Sequence, residues 1–103
     1  MNISDLIRLE LKENADPEKA AFLPKFFKAF PGGYGEGDRF IGVSVPNQRK
    51  IARRHYRNIS LINLENLIRD PFHECRLTAI FILVLKYENA YDDKRNNVLD
   101  KNQ

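Results

Sequence analysis

At 103 residues and 12.0 kDa the chain has the length of one domain, and 43% hydrophobic with 30% charged residues excludes the composition of a wholly disordered protein. The formal charge of +3 and a pI near 9.1 are mildly basic, compatible with a polyanionic partner but uninformative until the charges are placed. A single cysteine, Cys75, excludes an intramolecular disulfide. The longest apolar run, Ala79 to Leu85, is far short of the roughly 20 residues that cross a bilayer. The opening MNISDLIRLELKEN mixes charges with apolar residues and offers no cleavage site. The expectation is a soluble, cytoplasmic protein without membrane contact.

Strand signals are scarce, and apolar spacing with start and stop residues predicts five helices. Ser4 can cap a first helix to about Asn14, with Ile3, Leu6 and Ile7 on one side and Leu9 and Leu11 broadening the apolar surface. Asp16 and Pro17 read as N-cap and first residue of a second helix carrying Ala20, Ala21, Phe22, Leu23, Phe26, Phe27 and Phe30. Pro24 should kink or break it, because proline removes a backbone bond and clashes with the preceding turn. Pro31, Gly32, Gly33, Gly35 and Gly37 then make a loop.

A third helix is expected from Pro46 to about Tyr56, and a fourth over roughly Leu61 to Arg69 behind Ser60 or Asn63. Asp70 and Pro71 repeat the start signal for a fifth helix to about Asn89, apolar on almost every side between Leu77 and Leu85 and therefore central. Residues 90–103 read as a polar tail or a truncated next helix around Val98 and Leu99, with Asp92 and Asp93 as solubilising charges. Short helices in antiparallel pairs around one apolar helix predict a single all-α domain over residues 1–103, of the helical-repeat (α-solenoid) kind. About two and a half pairs leave apolar faces uncovered, so self-association is expected.

The glycine-rich stretch GGYGEGD lacks the Gly-Lys-Ser/Thr ending and the preceding strand of a phosphate loop. It reads instead as a structured turn in which Glu36 and Asp38 bond nearby amides. His73 and Cys75, two residues apart on a helix, point to different faces, so neither a metal nor a cofactor is expected. Cys75 reads as a small buried hydrophobe and His73 as a first-turn residue. His55 lies beside the basic residues of the third helix without a nucleophile arrangement around it. No catalytic residue is identifiable.

At about 100° per residue, Arg49, Lys50, Arg53, Arg54 and Arg57 fall within roughly 140° of one helix face, while Val45, Ile51, Ala52 and Tyr56 can pack inward. Five cations without an acid between residues 49 and 57 suit a phosphate backbone, and three to five neutralised phosphates would give log K against log salt a slope of about −3 to −4.5.

The segment Tyr34-Gly35-Glu36-Gly37-Asp38, then Phe40-Ile41-Gly42-Val43, Pro46 and Arg49-Lys50-Ile51-Ala52, resembles the N-terminal part of the DNA alkylation repair (AlkD-like) glycosylases. Phe26-Phe27, His73-Glu74-x-Arg76-Leu77 and Ile82-Leu83-Val84-x-Lys86-Tyr87 extend the likeness over approximately residues 16 to 90. The resemblance implies HEAT-like helical pairs that grip double-stranded DNA in a basic groove and excise alkylated purines. It also implies that the family's catalytic aspartate, tryptophans and DNA-contacting arginine lie beyond the equivalent of Tyr87. No tryptophan is present, no catalytic residue is carried over, and the chain alone is expected to be inactive. The alternative reading is a non-catalytic helical-repeat module that recognises a protein, its basic stripe meeting an acidic partner.

Overall fold

The computed structural model describes the backbone of residues 1–101 and the side chains of residues 1–90. It is all-α, with helices α1 (Ile3–Glu13), α2 (Pro17–Phe26), α3 (Val45–His55), α4 (Leu61–Ile68) and α5 (His73–Lys101). α5 packs against α3, α4 and α1 and forms the spine of the molecule, a packing consistent with a helical repeat. The core joins Ile7 and Leu11 of α1, Ile51 and Ala52 of α3, Leu64 and Leu67 of α4, and Cys75, Ala79 and Ile82 of α5. Each is an apolar position at helical spacing, so burying one stripe per helix supplies the main driving force.

The caps explain most of the boundaries. Asp16, Ser44 and Ser60 each accept a backbone N–H in the first turn of α2, α3 and α4, satisfying amides that have no partner within the helix. α1 starts earlier than expected because Asn2 is the cap, accepting the amide of Asp5, which leaves Ser4 inside the helix and buried. α5 starts later than the Asp70-Pro71 signal. Residues 71 and 72 are held out of the helix by a parallel bridge between Arg39 and Phe72, with the amide of His73 donating to the carbonyl of Arg39 at 2.7 Å. Asp70 still closes the turn by accepting the amide of Phe72 at 2.8 Å and pairs with Arg8 of α1 at 2.7 Å.

α2 tolerates Pro24 and continues two residues past it before stopping at Phe26. Lys28 then adopts φ 53°, and Gly33 folds back so closely that a Cβ would lie 2.1 Å from the carbonyl oxygen of Lys28. Phe27 and Phe30 therefore belong to the loop rather than to the helix. The start of α2 is pinned at Gly42, whose carbonyl accepts the amide of Asp16 at 2.8 Å. Gly42 has φ +94°, and a Cβ there would meet the carbonyl oxygen of Asp16 at 2.3 Å, so both conformation and space require glycine.

α5 is longer than expected, running through to Lys101, and its side chains from residue 91 on, those of the expected polar tail included, lie outside the described residues. It is also less enclosed than its composition suggests. Glu74, Cys75, Thr78, Ala79 and Ile82 are buried, whereas Ile80, Leu83, Val84 and Tyr87 form an exposed row on the opposite side.

Candidate nucleic-acid interface

Two arrangements stand out, the cationic face of α3 and a polar network under the glycine loop. On α3, Ile51 and Ala52 turn into the core, which fixes the rotation of the helix and places Arg49, Lys50, Arg53 and Arg54 at the surface. Tyr56, the C-cap, is half-buried, and Arg57 follows just past the helix end. Val45 is 43% exposed rather than packed inward; Gln48 and His55 take buried places on the inner side.

The five cations differ in what holds them. The guanidinium of Arg49 lies 4.6 Å from the ring centre of Phe81, an attraction worth about 0.5–1 kcal/mol at an exposed site that steadies the side chain while its N–H groups have no partner among the described residues. Arg49 and Arg53 share a groove of about 120 Å³ between α3 and α5, with Phe81, Val84, Leu85 and Glu88 as the other walls. Arg57 rests over the ring of Tyr56 at 4.9 Å and donates to Asn89 at 3.3 Å. Arg54 is different: Glu10 of α1 pairs with it at 3.0 Å, so its charge is already partly answered. Among the described residues, Arg49, Lys50, Arg53 and Arg57 form no ion pair.

His55 does not join this face. It is 7% exposed and its Nε2 lies 2.8 Å from the other carboxylate oxygen of Glu10. Glu10 thus ties α1 to α3 through two neighbouring residues, a link between positions too far apart in sequence for periodicity to reveal.

The loop network gathers the residues that carry the family resemblance. Asp38 accepts hydrogen bonds from Arg76 at 2.5 Å and from the ring Nδ1 of His73 at 2.9 Å. Burial pushes the Asp38 carboxyl upward, but the hydrogen bonds from Arg76 and His73, with the charge of Arg76, outweigh it and hold the group below its ordinary value. Glu74 is fully buried and receives three backbone amides, those of Ile41 at 2.9 Å, Gly42 at 2.7 Å and Val43 at 3.0 Å. Those donors satisfy a charge that would otherwise be costly to bury. Asp38 therefore does more than bond a neighbouring amide, and Glu74 is a structural residue that composition does not flag. Its place on the helical wheel beside Thr78 and Ile82 is the signal that marks it as inward-facing. Cys75 is buried next to Asp70; burial first, and the Asp70 carboxylate second, push its thiol up to about 12.

Fold and network define the class: an all-α protein whose glycine-rich loop is clamped to the start of its longest helix by an aspartate, a histidine, an arginine and a buried glutamate. The family model of the DNA alkylation repair enzymes matches residues 7–102, and the chain belongs to that family. This gives it a role related to DNA repair. No curated protein and no solved structure matches the chain.

Proposed function

We propose that the chain supplies HEAT-like helical repeats that grip double-stranded DNA through its phosphate backbone, with Arg49, Lys50, Arg53 and Arg57 as the contacting cations and Arg54 as an auxiliary one. The observation that carries this reading is the exposed cationic row of α3 and the residue just past its end, in which Arg49, Lys50, Arg53 and Arg57 have no ion pair among the described residues. Phosphates bind such a surface by releasing condensed counterions, without reading sequence. The excision of alkylated purines is the activity the family resemblance implies for the repair reaction as a whole; no residue of this chain is assigned to it.

The test is duplex DNA binding by fluorescence anisotropy across a salt series, using the wild type and an Arg49→Ala, Arg53→Ala, Arg57→Ala triple variant. Three to four phosphate contacts correspond to a slope of about −2.7 to −3.6 in the wild type, shallower in the variant. Absence of binding at low salt would overturn the reading and favour the protein-interaction alternative, for which the exposed row Ile80, Leu83, Val84 and Tyr87 on α5 is the supporting observation.

A further inference from the structure

α2 is held at both ends and stands clear of the helices in between. Its start is pinned by the Asp16 to Gly42 bond. Beyond its end, the ring of Phe27 stacks on Phe40 at 5.5 Å and lies 5.1 Å from His73. No residue of α2 is buried. The space beneath is an open cleft of about 490 Å³ between α2, the start of α3 and the start of α5. Phe22, Phe26 and Phe27 form one wall, with Phe26 and Phe27 edge to face at 5.0 Å, and Val45, Pro46 and Leu77 form the other. Ligand sites in proteins are commonly of this size, largely apolar, with a few polar groups that fix orientation.

Five polar residues line this cleft: Lys19, which is exposed, Ser44, whose hydroxyl accepts the amide of Asn47, and Gln48, His73 and Glu74. Glu74 contributes to the lining, but its oxygens are taken by the three loop amides. His73 also lines it; Nδ1 is committed to Asp38, while Nε2 has no partner among the described residues. In the neutral ring, Nδ1–H donates to the Asp38 carboxylate, which leaves Nε2 an acceptor whose direction is fixed. Packing against Phe27 and against Phe40 at 4.9 Å holds the imidazole plane. Gln48 lines the cleft as well; it is 2% exposed, its side-chain amide donates to the carbonyl of Val43 at 3.0 Å, and its Oε1 has no partner among the described residues. Two acceptors lack donors beside an aromatic slot.

We propose that this cleft binds a small, uncharged, planar aromatic molecule of about two fused rings that carries an N–H donor, stacked against the phenylalanines and hydrogen-bonded to Nε2 of His73. The aromatic wall selects flat rings through edge and face contacts, the mostly apolar lining disfavours charge, its one lysine, Lys19, being exposed to water, and the oriented acceptor selects a donor. This site lies at the other end of α3 from Arg53 and does not depend on the DNA reading.

The experiment is an amide-resolved NMR titration of the full chain with indole and with benzofuran, a ring of the same size without the N–H. Indole is expected to shift resonances around Phe22, Phe26, Phe27, Val45 and Leu77, and benzofuran to bind about five- to tenfold more weakly, the effect of one lost hydrogen bond. His73→Phe keeps a ring in place and should abolish the difference between the two probes. Val45→Trp, at an exposed position, should fill the slot and block indole while the remaining spectrum stays folded. Failure of indole to bind, shifts located elsewhere, or equal affinity for indole and benzofuran in the wild type would each overturn the proposal.

Discussion

Replacing Glu74 with glutamine tests how the loop is tied to the spine. The change keeps size and shape but leaves one acceptor oxygen where there were two. If that oxygen continues to serve the amides of Gly42 and Val43, the new side-chain NH2 faces the amide of Ile41, donor against donor, where the wild type has a 2.9 Å hydrogen bond. Hydrogen bonds to a charged group contribute about 1.5–3 kcal/mol each, and a buried amide left without an acceptor costs about 1–3 kcal/mol. One lost bond and two weakened ones therefore amount to about 2–4 kcal/mol, a large share of the roughly 5–15 kcal/mol that stabilises a typical protein. Urea denaturation followed by circular dichroism should show the midpoint lowered by about 1 M or more, given a slope of about 1–3 kcal/mol/M. Glu65→Gln, which removes an exposed ion pair with Arg69, should change stability by less than about 0.5 kcal/mol. A Glu74→Gln variant as stable as that control would refute the idea that the buried carboxylate holds the loop.

The acid limb of stability should reside partly in Asp38 and Asp70. Burial raises both, but in Asp38 the Arg76 and His73 contacts, and in Asp70 the Phe72 amide and Arg8, outweigh it, so both sit below their ordinary value of 3.8 when folded. The unfolded chain then binds protons first on acidification, so the contribution is complete above pH 3.8 and is lost as the pH falls through the folded values. Asp38→Asn should flatten that limb in urea midpoints measured between pH 6 and 2.5; an unchanged limb would contradict it. Cys75, with its thiol raised to about 12 and 1% exposure, should resist a disulfide reagent at pH 8 until urea unfolds the chain, and rapid labelling of the native protein would refute this. The exposed row Ile80, Leu83, Val84 and Tyr87 should make the mass in sedimentation equilibrium rise with concentration, and Val84→Glu should restore the monomer; a constant monomer mass in the wild type would contradict it.

The helices were legible because their causes are local. Asp16-Pro17, Pro46 and Ser60 announce their helices through start signals within four residues, although the cap of α3, Ser44, emerges only in the structure, and the inward turn of Ile51 and Ala52 follows from spacing alone. What was not legible depends on contacts distant in the chain. The late start of α5 comes from the pairing of Phe72 with Arg39, the loss of Arg54 as a fully available cation comes from Glu10, and the same carboxylate takes His55 into the interior. Asp38, His73 and Arg76 were visible as motif residues, but only the fold shows that they form one network. The apolar pattern of the second helix continues through Phe27 and Phe30, whereas Lys28, at positive φ, ends its backbone.

Two single substitutions of equal charge test whether the useful positive charge lies on α3. Arg53→Ala removes a cation from the α3 face, and Arg69→Ala removes one from the C-cap of α4, where Glu65 pairs with it at 2.8 Å. Salt-dependent anisotropy on duplex DNA should show the slope of log K against log salt reduced in magnitude by about 0.9 for Arg53→Ala and unchanged for Arg69→Ala. Equal effects of the two would mean that only net charge matters and would contradict a grip through α3.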